Sequence, residues 1–140
     1  LCELFAKLAA GDAPWPLLIH GPVGSGKSFA ALCFADLIPS ARYSTLETLC
    51  NSIMAGDPMP WRDAGELLVV DELGERSKVG DLHYTALKNT LDYREWHHRR
   101  VAIYVSNLSP ADLCNLFDDR IASRLTAGSV FKLEAADRRQ

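Results

Sequence analysis

Eight residues near the start of the chain have the types and spacing to grip a polyphosphate. Gly21-Pro22-Val23-Gly24-Ser25-Gly26-Lys27-Ser28 matches G-x-x-x-x-G-K-[ST] in full. Glycines at 21, 24 and 26 let backbone amides turn inward around phosphate oxygens, and a helix starting there adds the favourable partial charge of its N-terminus. Lys27 is expected to reach the β- and γ-phosphates of ATP, and the Ser28 hydroxyl to ligate Mg2+.

Phosphoryl transfer to water also needs an anchor for the metal and a group that polarises the attacking water. Asp71 and Glu72 come directly after the apolar run Leu67-Leu68-Val69-Val70, a place where open α/β sheets bind ligands. Asp71 is expected to hold Mg2+ through its water shell, and Glu72 to activate the water. Asn107 ends a second apolar run and has two readings. Its amide can contact the γ-phosphate without adding charge, or it can make a turn or a helix cap, and spacing does not choose between them. Arg120 and Arg124 lie one helical turn apart, placed either to neutralise a transferred phosphoryl group or to pair with nearby Asp118 and Asp119.

Periodicity predicts the elements that must position these groups. Leu1, Leu4, Phe5 and Leu8 predict a helix ended by Gly11, Pro14 and Pro16, before a strand over Leu17 to His20. A helix from Lys27 through Leu37 is stopped by Pro39. A short strand, Arg42 to Thr45, leads to a helix over Leu46 to Ala55 and a turn over Gly56 to Pro60. Leu67 to Val70 reads as a buried parallel strand closed by Asp71. A helix over about Leu82 to Trp96 turns Leu87, Leu91 and Tyr84 inward and precedes a strand over Val101 to Val105. Ser109 is placed to cap a helix that begins near Pro110. A helix over Asp118 to Leu125 and a strand over Val130 to Leu133 complete the pattern. Alternating strands and helices, with a phosphate loop after the first strong strand, predict a three-layer, doubly wound α/β domain with a parallel sheet.

The 140 residues suit one domain, residues 1–140, and not two; the absence of an initiator Met leaves room for the chain to be a piece of a longer one. Hydrophobic residues at 48% and charged residues at 24% fit a folded protein. A net charge of -3 excludes a global positive field for nucleic acid. DNA would have to use small clusters, His97-His98-Arg99-Arg100 or Arg138-Arg139, which read equally as solvated turns. Cys2, Cys33, Cys50 and Cys114 show no paired spacing and are expected to be reduced core thiols. No apolar run approaches the roughly 18 residues of a membrane span, and no signal peptide opens the chain, so a cytoplasmic location without a membrane partner is expected.

GPVGSGKS at 21–28, LLVVDELG at 67–74, LDYREW at 91–96, VSNLSPADL at 105–113 and DDRIASRL at 118–125 together resemble the AAA+ ATPases of the bacterial helicase loaders (DnaC-like) and of insertion-sequence transposition helpers. The closing VFKLEAADRR at 130–139 looks like their last strand and turn. The resemblance implies a P-loop NTPase fold of AAA+ type, with Asn107 as sensor 1. It also implies that Arg124 serves a neighbouring subunit's ATP in trans, with Arg120 as the runner-up. The spacing from Lys27 to Asp71, 71 − 27 = 44, looks short for the family. No C-terminal lid, and so no sensor 2 arginine, is expected within the chain, and none of these residues is expected to form the helicase-gripping region that loaders carry before this domain.

The expectation is therefore a homo-oligomeric ATPase that acts on a replicative helicase, a transposase or single-stranded DNA, the last bound weakly and in a salt-sensitive way. The alternative is a nucleotide-dependent adaptor or scaffold with negligible turnover, as a transposition helper could be. A small-molecule kinase would need an acceptor pocket and lid that the sequence does not locate.

Overall fold

A strand with no water-facing side needs neighbours on both edges and helices on both faces. The segment Leu17–His20 is such a strand, buried at every position, and the rest of the chain is arranged around it. The computed structural model describes residues 1–57, 66–74, 80–96 and 101–134. In chain order the elements are α1 (Cys2–Ala10), β1 (Leu17–His20), α2 (Lys27–Ala35), β2 (Arg42–Thr45), α3 (Leu46–Met54), β3 (Leu67–Leu73), α4 (Asp81–Trp96), β4 (Val101–Ser106), α5 (Pro110–Leu116), α6 (Asp119–Leu125) and β5 (Ser129–Lys132).

The five strands form one sheet in the order β2-β3-β4-β1-β5, and every neighbouring pair is parallel. From β1 the chain crosses to the far edge at β2, steps back through β3 and β4, then passes over β1 to β5. That reversal opens a crevice at the C-terminal ends of the central strands. On one face, Leu8 of α1 and Ala31, Phe34 and Ala35 of α2 pack on Leu17, Ile19, Leu67, Val69, Ile103 and Val105. On the other, Leu46, Leu49, Leu87, Leu91, Leu113, Ile121 and Leu125 of α3 to α6 pack on Leu18, Leu68, Val70, Ala102 and Tyr104. This is the expected three-layer domain, and among the described residues no separate lid adds to it.

Local signals explain the helix starts. Ser109 accepts the Asp112 amide and Pro110 occupies the first turn of α5, as its sequence requires. Asp118 caps α6 by accepting the Ile121 amide, and Thr45 caps α3 by accepting the Thr48 amide.

Several expectations need correction. Helix α2 ends at Ala35, not Leu37; its buried face is Ala31, Phe34 and Ala35, and Leu32 on its other side is 39% exposed, as Leu37 beyond its end is 76% exposed. Strand β3 does not close at Asp71 but continues to Leu73. Of the four cysteines, all free, only Cys50 is buried, while Cys2 and Cys33 sit on outer helix surfaces and Cys114 is intermediate. Leu87 and Leu91 are buried and Tyr84 packs against the same core, as expected. The expected turn over Gly56 to Pro60 is described only as far as Asp57, and His97, His98, Arg99, Arg100, Arg138 and Arg139 lie outside the described residues. No helix among the described residues is long and apolar enough to cross a membrane.

Candidate functional site

The loop 21–26 leaves the top of β1 and feeds directly into α2. Gly26 is the N-cap of α2 with φ 87°, a left-handed backbone that a side chain disfavours. Gly21 is constrained from outside: a Cβ there would lie 2.0 Å from the carbonyl oxygen of Leu133. The base of the loop therefore rests on the chain just beyond β5, which is fixed by the Leu133 amide donating to the His20 carbonyl at 2.8 Å. Gly21→Ala is expected to force these backbones apart, lowering the melting temperature by about 5 °C or more and weakening nucleotide binding with it. A thermal melt that overlays the parent's would show that the contact is not tight.

Within the loop, the Lys27 ammonium is almost fully buried and donates to the Pro22 carbonyl at 3.0 Å, folding the side chain back across the loop. The Ser25 hydroxyl is buried with no hydrogen-bond partner among the described atoms. A buried hydroxyl is normally satisfied, so this orphan inside a glycine-rich loop is free to bond a ligand's polar atom. His20, at the end of β1, is held below its ordinary pKa by burial and by the nearby positive charge of Lys132, so it is neutral at neutral pH.

Asp71 and Glu72 lie in β3, and a bulge separates their directions. Val70 pairs with Tyr104 but the next partner pair is Leu73 with Ser106, so β3 uses three steps where β4 uses two. The extra residue is Glu72, whose φ of 59° is the one positive value outside glycine among the described residues. Because side chains alternate along a strand, one inserted residue flips the next ones to the other face. Leu73 accordingly joins the α3–α6 core while Asp71, 3% exposed, stays on the α2 face and Glu72 faces solvent at the sheet's end. Both Asp71 oxygens are engaged: Oδ1 accepts the Glu72 amide at 2.7 Å, and Oδ2 accepts the Tyr43 hydroxyl at 2.5 Å. Burial, and then the hydrogen bond to Asp71, push the Tyr43 phenol above its ordinary pKa, so it remains a donor.

Ser106 ties the pieces together. Its hydroxyl donates to the Leu73 carbonyl at 2.6 Å and accepts the Leu108 amide at 3.0 Å, and its carbonyl accepts the Gly21 amide at 3.3 Å. The start of the glycine loop, the Asp71-Glu72 bulge and Asn107 thus meet at one level on three adjacent strands, where Ser106 is the register partner of both His20 and Leu73. The sequence gives no reason to single out Ser106 or Tyr43 by themselves.

Arg120 and Arg124 sit elsewhere. Helix α6 packs on the sheet face opposite α2, through Ile121 and Leu125. Arg124, in its last turn, is ion-paired with Asp92 of α4. Partial burial works to raise the Asp92 pKa, but the hydrogen bonds and charges of Arg124 and Lys88 outweigh it and hold the carboxylate below its ordinary value. Tyr84, Lys88, Arg120, Ser123 and Arg124 line a cavity of about 300 Å³ between α4 and α6. It lies on the other side of the sheet from the glycine loop.

The parallel order β2-β3-β4-β1-β5, with a glycine loop between β1 and α2, is that of a P-loop NTPase fold of AAA+ type. No family model matches the chain. It is 29% identical to the chromosomal replication initiator protein DnaA of Caulobacter sp. (strain K31), over 88% of this chain and 27% of that protein, so it spans about a quarter of that curated relative. Among solved structures, DnaA from Aquifex aeolicus bound to AMPPCP superposes with a TM-score of 0.74 at 20% identity, covering 97% of this chain and 46% of that one. The DnaC helicase loader superposes with a TM-score of 0.68 at 18% identity, covering 86% of this chain and 77% of that one. At these identities the likeness to both structures is one of fold, which initiators and loaders share.

The donor set suits the groups this fold implies. Ser28 and Asp71 offer hard oxygens, which magnesium prefers, and few protein ligands suffice because Mg2+ keeps waters and phosphate oxygens. The unpartnered Ser25 hydroxyl and the buried Lys27 amine fit an anionic ligand in the loop.

Proposed function

We propose that the chain is an ATPase module of the helicase-loader or DNA-remodelling kind, binding ATP with Mg2+ at residues 21–28 and hydrolysing it at a contact between subunits. The observation that carries the reading is the meeting of the glycine loop, the Asp71-Glu72 bulge and the Ser106-Asn107 corner at one end of three adjacent strands. The AMPPCP bound to an initiator of the same fold supports a nucleoside triphosphate as the ligand.

In this reading Lys27 swings from the Pro22 carbonyl to the β- and γ-phosphates, and the loop amides hold the remaining oxygens. Ser28 and Asp71 would hold magnesium, which when bound neutralises phosphate charge. Glu72 takes a proton from the attacking water as its oxygen bonds to the γ-phosphorus and the bond to the ADP oxygen breaks. Asn107 orients the water or the γ-phosphate without adding charge. Arg124, or Arg120 beside it, is offered to the ATP of a neighbouring subunit. The resemblance to loaders and the fold shared with DnaA and DnaC favour a replicative helicase, a transposase or single-stranded DNA as the partner of the assembly.

Lys27→Ala tests the binding step. The variant is expected to weaken ATP binding at least about tenfold, and to keep its melting temperature within a few degrees, because a hydrogen bond such as that to the Pro22 carbonyl contributes only about 1 kcal/mol. Equal ATP affinity in titration calorimetry would overturn the assignment of the loop. ATP binding by the parent without turnover, even when assembled and supplied with single-stranded DNA, would turn the reading to a nucleotide-dependent adaptor.

A further inference from the structure

Strand β2 is an edge strand and the most polar of the five, so it has little to add to the core. Its register is nonetheless fixed: Tyr43 is the partner of Val69, and Thr45 that of Asp71. Partners in a parallel pair share a face, so Tyr43, Val69 and Asp71 all lie on the side covered by α2, the helix that the glycine loop begins. The Tyr43 ring remains 42% exposed, yet its hydroxyl reaches one residue-pair along the strand to Asp71 Oδ2 at 2.5 Å. With the Glu72 amide on Oδ1 at 2.7 Å, the carboxylate is held at both oxygens and cannot rotate without breaking a hydrogen bond. Each oxygen keeps a further lone pair, so the clamp orients the group without exhausting it.

We propose that Tyr43 is a positioning residue for magnesium, locking the Asp71 carboxylate in the orientation in which it receives the metal's water shell. The inference rests on the reading of Asp71 as the magnesium anchor. Hydrogen bonds to a ligating carboxylate commonly matter about 10- to 100-fold in metal affinity, because an unheld carboxylate must be ordered at the moment of binding. In this arrangement Tyr43 acts through Asp71.

Tyr43→Phe removes the hydroxyl and keeps the ring, and Asp71→Asn supplies the comparison. Binding of a fluorescent methylanthraniloyl ATP would be titrated with MgCl2, and separately in EDTA, for the parent, both single variants and the double variant. The expected result is a Mg2+ midpoint raised about tenfold or more in Tyr43→Phe, with affinity in EDTA unchanged and the melting temperature lowered only by the few degrees that one lost hydrogen bond costs. In the Asp71→Asn background the same substitution is expected to have no further effect on the midpoint, since the two groups act as one unit. An unchanged or lowered midpoint in Tyr43→Phe overturns the proposal. So does a parallel loss of EDTA affinity and thermal stability, which would make Tyr43 a structural prop, or a full effect persisting in Asp71→Asn. If the parent binds the nucleotide with no dependence on Mg2+, the anchor reading of Asp71 fails, and the Tyr43 proposal fails with it.

Discussion

Arg124→Ala is expected to bind ATP as the parent does and to lose about 10³- to 10⁵-fold in turnover once assembled. The expectation starts from position. Arg124 belongs to a helix on the sheet face opposite α2, and its guanidinium is paired with Asp92 beside a recess that also holds Lys88 and Arg120. An arginine so placed lies on the other side of the sheet from its own chain's loop. A partly exposed ion pair such as Arg124–Asp92 contributes about 0–1 kcal/mol, whereas an arginine finger lowers the barrier by roughly 4–7 kcal/mol. Losing the pair alone therefore cannot produce the expected drop. The decisive measurement mixes Arg124→Ala subunits, whose glycine loop is intact, with Lys27→Ala subunits, whose arginine is intact. Turnover recovered on mixing means that one subunit's arginine serves the other's ATP. Parent-like turnover by Arg124→Ala alone, or an inactive mixture despite proven hetero-assembly, sinks the interface role and moves the test to Arg120.

Glu72→Gln is expected to retain ATP and Mg2+ while turnover drops by about 10²- to 10⁴-fold, the usual contribution of a positioned general base. Glutamine keeps the length and hydrogen bonding of the side chain and removes only the basic oxygen. The bulge makes the test clean, because Glu72 is exposed and its side chain is separate from the buried Asp71 clamp, which uses only the Glu72 backbone amide. Fold and metal anchoring should survive the substitution. Equilibrium binding and single-turnover hydrolysis on the same sample separate the two steps. Hydrolysis at the parent rate would exclude Glu72 as the group that activates water.

Much of the scaffold could be read from residue order alone. Buried parallel strands announce themselves as continuous apolar runs, and Leu17 to His20, Leu67 to Val70 and Val101 to Val105 all became central strands. The Ser109-Pro110 start of α5 rests on chemistry confined to four residues, and so was also legible. The bulge was not. Its signal is a mismatch between the β3 and β4 counts, which exists only once the two strands are paired. Tyr43 was hidden for the same reason, since nothing within Arg42 to Thr45 says which strand lies beside it. The exposed sides of Leu32 and Cys33 misled in the opposite direction: α2 is apolar nearly all round, so periodicity could not tell its buried side from its outer one. The meeting of Gly21, Leu73 and Leu108 at Ser106 needed the strand order, which periodicity does not carry.

The seat of the glycine loop also bears on how the domain matures on the ribosome. Gly21 emerges ahead of β2, β3 and β4, yet the carbonyl of Leu133 that it abuts, and the strand Ser129–Lys132 that flanks β1, emerge after all of them. Until they arrive, β1 is an open edge and the loop lacks its floor. A nascent chain can therefore assemble β2, β3 and β4 and their helices while the loop is still unseated, and a firmly held loop becomes a mark that the whole sheet has been made.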